Sequence, residues 1–115
     1  MNHTQVLDVR LLISQIEVED LAVEILEMVE QTLTQNHDAL NLIPPEINQM
    51  QFLLHQLKGI LPMLTEPNFT IMLRDEEQHL REHLSTSVNY PILLNQINIL
   101  RTEIQTYLNA LKKSS

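Results

Sequence analysis

His55, Lys58 and Gly59 stand at positions i, i+3 and i+4 of the segment Phe52-Leu53-Leu54-His55-Gln56-Leu57-Lys58-Gly59-Ile60-Leu61. An imidazole can accept or donate a proton near neutral pH, and a lysine adds positive charge. A glycine one turn on removes the side chain that would stand on the same helix face. Gly59 is the only glycine in the chain. Inside a helix it costs about 1 kcal/mol relative to alanine, so its presence asks for a packing or functional reason.

The helix expected over residues 45–61 has an apolar stripe of Ile47, Met50, Leu54, Leu57 and Leu61. At about 100° per residue that stripe spans roughly 80°. His55 lies about 120° from its centre and Gly59 about 40° further round, with Phe52 and Asn48 on the same general face and Lys58 between that face and the core. The spacing therefore describes an imidazole expected to reach solvent, a lysine, a glycine gap and an exposed phenylalanine of the kind that marks a docking surface. Taken alone, it describes a binding face that contains a histidine. A surface histidine with no role has the same local pattern.

His55-Gln56-Leu57-Lys58-Gly59 resembles the His-x-Leu-Lys-Gly motif of histidine-containing phosphotransfer (HPt) domains. The motif covers five residues, and the similarity in helix order covers most of the chain. The resemblance implies a cytoplasmic phosphocarrier that relays a phosphoryl group between receiver-domain aspartates in a two-component phosphorelay. His55 would be the phosphoacceptor and Lys58 would offset the phosphoryl charge. Phe52, Gly59 and Asn48 would form the face that docks a response-regulator receiver domain or a hybrid histidine kinase. Such transfer needs positioning and charge stabilisation more than covalent work by the protein. Mg²⁺ belongs to the partner, so no cofactor or metal of its own is expected, nor any autonomous kinase activity. The chain departs from the family pattern beyond the glycine. Small residues and a second glycine about ten positions past the histidine are usual, whereas Ile60, Pro62 and Thr65 occupy that stretch.

Two other function classes fit the same residues. One is a degenerate HPt-like adaptor that binds a response regulator or histidine kinase without being phosphorylated. The other is an unrelated helical scaffold or chaperone. Glu76, His79 and His83 have the spacing of metal ligands, since Glu-x-x-His pairs occur in di-iron bundles. Only one such pair occurs here, and the stretch reads better as a solvated face laced with i,i+4 pairs. Glu76 and Glu77 splay apart by about 100° and make a poor acid/base dyad. One glycine cannot build a phosphate-binding loop.

Composition bounds the rest. The 115 residues carry seven basic and fifteen acidic side chains, a net charge of −8, which disfavours nucleic-acid phosphates and anionic membranes. Residues 1–43 hold eight carboxylates against Arg10, whereas 44–73 hold Glu46 and Glu66 against Lys58. An acidic partner site would be repelled least by the middle segment. With no cysteine, disulfide and thiolate chemistry are excluded. No signal peptide and no apolar run of membrane-spanning length is read.

Positioning His55 falls to five amphipathic segments. They are expected near residues 4–15, 18–40, 45–61 and 67–84, and from Pro91 onward, with Pro44-Pro45 opening the third and Pro62 ending it. The stripes are Val6, Val9, Leu12, Ile13; Leu21, Ile25, Met28, Val29, Leu33; Phe69, Met72, Leu73, Leu80, Leu84; and Ile97, Leu100, Ile104, Tyr107, Leu111. No segment alternates as a strand does. Long helices joined by short loops predict a single all-α domain, an antiparallel up-down four-helix bundle with an additional short N-terminal helix.

Overall fold

The computed structural model describes residues 6–16, 19–42 and 46–114, so expectations for residues 4 and 5, Glu17 and Pro44-Pro45 lie outside the described residues. Among the described residues there are six α-helices: α1 Val9–Ile16, α2 Glu19–Gln35, α3 His37–Asn41, α4 Ile47–Ile60, α5 Pro67–His83 and α6 Tyr90–Ser114. A 3-10 turn, Leu61–Met63, follows α4. No strand occurs among the described residues, which hold one isolated antiparallel bridge between Leu7 and Thr65. No described helix is long and apolar enough to cross a membrane.

Helix α4 packs along α5, and α2 along α6; α5 also meets α6, and α1 lies on α2. One aliphatic core joins them, including Leu12, Leu26, Leu33, Met50, Leu54, Leu57, Phe69, Leu73, Leu80, Ile97, Leu100 and Ile104. Each such side chain contributes about 1.5–3 kcal/mol by leaving water. The α4 stripe faces this core, joined by Leu53.

The α2 stripe is rotated from the expected one. Leu21 and Met28 are exposed, while Ala22, Leu26, Val29 and Leu33 are buried. Those four fall at i, i+4, i+7 and i+11, a regular helical ridge. The expected helix over 18–40 is also broken into α2 and α3 at Asn36. Its side-chain Nδ2 donates to the Thr32 carbonyl at 2.8 Å, and its backbone lies at φ −103°, ψ 10°. Asparagine competes in this way with the backbone's own ladder.

The first helix begins later than expected, because Asp8 caps it by accepting the Leu11 N–H at 3.0 Å. Residues 6–8 are instead tied to the α4–α5 connection. Asp8 N–H donates to the Leu64 carbonyl at 2.7 Å and Glu66 N–H to the Val6 carbonyl at 3.1 Å. Glu103 Oε1 on α6 accepts the Val6 and Leu7 N–H groups.

The ends of α4 and α5 are fixed by named side chains. Glu46 caps α4 by accepting from Gln49 N–H at 2.8 Å. Pro62 stops it, since the ring removes a donor and clashes with the preceding turn, and Thr65 Oγ1 donates back to the Leu61 carbonyl at 2.7 Å. Glu66 caps α5 with Pro67 at its first turn. Leu84, expected in the stripe, is exposed and closes α5 in the left-handed region at φ 55°. That conformation costs a non-glycine residue roughly 1–2 kcal/mol. Tyr90 then starts α6. Its buried hydroxyl donates to the Leu40 carbonyl at 2.7 Å, and burial together with the Glu76 charge pushes its pKa up to about 12.

Candidate functional site

His55 projects from the middle of α4 with 70% of its side chain exposed. Beneath it, on α5, Glu77 has 6% of its side chain exposed. The Glu77 carboxylate is the meeting point of three basic groups. Oε2 lies 3.0 Å from His55 Nδ1 and 3.1 Å from Arg81 Nη2, and Oε1 lies 2.7 Å from Lys58 Nζ. A buried carboxylate without such partners would cost several kcal/mol.

Burial pushes the Glu77 carboxyl up, but the hydrogen bonds from Lys58 and His55, and the charges of Lys58 and Arg81, outweigh it. The group therefore lies below the ordinary carboxylate range and is ionised at neutral pH. An ionised carboxylate only accepts. The His55 proton must then sit on Nδ1, and the neutral ring presents the Nε2 lone pair away from Glu77. An exposed, oriented nitrogen nucleophile is what the arrangement can supply chemically.

Other side chains are distributed around the ring. Asn48, Gln51, Phe52, Lys58 and Arg81 line one open depression with His55 and Glu77. Phe52 is 71% exposed. Gln51 is held in place by donating to the Leu80 carbonyl at 3.0 Å. Lys58 leans toward Glu77, though an ammonium carries three donors and can hold this carboxylate while meeting another anion. A Cβ built on Gly59 meets nothing within 4 Å, and its φ is not positive. Neither internal packing nor backbone conformation asks for glycine there. Ile60 packs against the core, while Pro62 and buried Thr65 sit in the turn and connection below.

Three members of this site, Gln51, Glu77 and Arg81, escaped the sequence reading, which placed the 76–83 stretch on a solvated face. That expectation fails for both glutamates, since Glu76 is 2% and Glu77 5% exposed. The signal was present. Phe69, Leu73, Glu76, Glu77 and Leu80 stand at i, i+4, i+7, i+8 and i+11, which puts both carboxylates inside the apolar ridge of α5. Charged residues are almost never fully buried unless paired, so each required a partner. Glu76 finds its own in the Ser87 N–H, at 2.8 Å, and the Ser87 hydroxyl. It thereby pins the α5–α6 loop rather than joining the His55 site.

Compared with protein-family models, curated proteins and solved structures, the chain matches none of them significantly.

Two outcomes follow from this geometry. Gly59→Ala leaves the fold intact and raises stability by about 1 kcal/mol, read from the urea midpoint; a loss of stability would show that glycine serves internal packing. Glu77→Gln lowers stability by about 1–3 kcal/mol at pH 7. Because the folded carboxyl is depressed, its contribution is present above the unfolded value of about 4.3 and disappears as pH falls through the folded value. The gap between wild type and Glu77→Gln should close on acidification below about pH 4. A gap that stays constant down to full protonation contradicts the ionised pairing.

Proposed function

We propose that this chain is a histidine phosphotransfer protein in which His55 Nε2 takes a phosphoryl group from a receiver-domain aspartate and passes it to another. The observation that carries the reading is the exposed imidazole whose Nδ1 is engaged by a buried carboxylate, one turn before a glycine that the fold itself does not require. In the forward step the Nε2 lone pair attacks phosphorus, the P–O bond of the aspartyl phosphate breaks, and the aspartate leaves as a carboxylate. Return transfer reverses these bonds. Glu77 holds the ring and accepts the Nδ1 proton's hydrogen bond throughout. Lys58 and Arg81 outweigh Glu77 by one positive charge, which favours a phosphoryl group at Nε2.

The same reading takes α2, α4, α5 and α6 as an up-down four-helix bundle with α1 as the additional N-terminal helix. The bare notch at Gly59 and the apolar rim at Phe52 would receive the receiver's active-site loops. That partner supplies Mg²⁺ and the aspartate, and the exchange belongs in the cytoplasm.

A specific observation favours a second reading, that of an adaptor that docks without accepting phosphate. Lys58 Nζ is committed to Glu77 at 2.7 Å, and Pro62 ends α4 soon after Gly59, where related motifs continue with small residues.

Incubation with a phosphorylated receiver separates the two. The carrier acquires an acid-labile, base-stable label that His55→Gln abolishes, and replacement of Gly59 by leucine reduces labelling at least tenfold without unfolding. Complex formation without label, surviving His55→Gln and lost on Gly59→Leu, selects the adaptor. Neither label nor a complex dependent on these residues would overturn both.

A further inference from the structure

We propose that His79 and His83, on the last turn of α5, form a two-imidazole chelate for a late first-row divalent ion of the Ni²⁺ or Cu²⁺ type, separate from the His55 site. Residues i and i+4 of a helix are neighbours on one face. Here the two ring centroids lie 4.5 Å apart, with the planes inclined by 39°. A metal–nitrogen bond of about 2.0–2.1 Å puts each ring centre roughly 3.2 Å from the ion, so ligands at about 90° set the centres about 4.5 Å apart. Tetrahedral ligands would set them about 5.2 Å apart. The observed spacing therefore fits the cis positions of a square-planar or octahedral ion, the geometry of Cu²⁺ and Ni²⁺.

The second observation concerns the proton on His79. Its Nδ1 lies 2.9 Å from the Ser85 carbonyl, which can only accept, so Nδ1 carries hydrogen and the Nε2 lone pair is left for a ligand. Metal-binding histidines are commonly oriented by such an N–H to a backbone carbonyl. His83 is exposed, and among the described residues no hydrogen bond constrains its rotation toward a shared ion. The charges around the pair suit a cation. At about 100° per residue, Glu82 and Asp75, the latter 3.9 Å from Arg74 Nε, lie along one edge of the His79–His83 face, whereas Arg81 is drawn to the far side of α5 by Glu77. Among the described residues no group of three or more potential ligands occurs, so water would complete the coordination sphere. Affinity should be modest.

The test titrates Ni²⁺ into the full chain carrying His3→Gln, which removes an imidazole outside the described residues. Side-chain imidazole resonances report each histidine separately. Those of His79 and His83 should broaden first, ahead of His37 and His55. His83→Gln, at an exposed site that tolerates the change, should weaken binding at least tenfold. His55→Gln should leave binding unchanged. No broadening at up to millimolar Ni²⁺, equal broadening of all histidines, or undiminished affinity in His83→Gln would each overturn the proposal.

Discussion

A single buried carboxylate organises the surface of this protein that carries the most chemistry. Glu77 occupies a position in the α5 ridge that the aliphatic core would otherwise fill, and an ion cannot remain there uncompensated. Its compensation comes from two directions: His55 and Lys58 reach across from α4, and Arg81 reaches back along α5. The α4–α5 pairing thus has a polar clamp next to its apolar seam. That clamp also sets the proton on His55. The requirement that keeps Glu77 ionised also leaves Nε2 of the neutral ring without a proton.

Glycine is used sparingly, and not where backbone conformation would favour it most. The one left-handed residue in the described chain is Leu84, at a helix end where glycine is the usual solution. The one glycine stands in the last turn of α4, where a side chain would meet nothing. A fold optimised for stability alone would exchange these residues. The face that carries His55 thus has no side chain at Gly59, and Phe52 stands exposed on it rather than packed in the core. Neighbouring Glu76 serves a different end, fastening the α5–α6 loop through Ser87, so two adjacent glutamates about 100° apart hold different partners.

Much of the helical plan was legible from periodicity, and the reasons for the rest are local. Helix α4 was readable because its stripe is regular and bounded by proline. In α2 the small Ala22 disguised the true ridge, and exposed Leu21 and Met28 drew the reading to one side. The Asn36 break depends on a side chain bonding its own backbone, which hydrophobic spacing does not reveal. The start of α1 is decided by contacts with residues 64–66 and Glu103, remote in sequence. His55, Lys58 and Gly59 could be picked out because they are local to one another. Glu77 lies twenty-two residues from His55, and only the presence of a charge in an apolar ridge could have marked it.

The account rests on the direction of one proton. Long-range nitrogen–proton correlation spectra of the His55 ring in the intact chain, recorded where the ring is neutral, report which nitrogen is protonated. The account requires hydrogen on Nδ1 and an unprotonated Nε2, with that preference weakened in Glu77→Gln. A ring protonated on Nε2, or one with the same tautomer distribution whether or not Glu77 carries its charge, would contradict it.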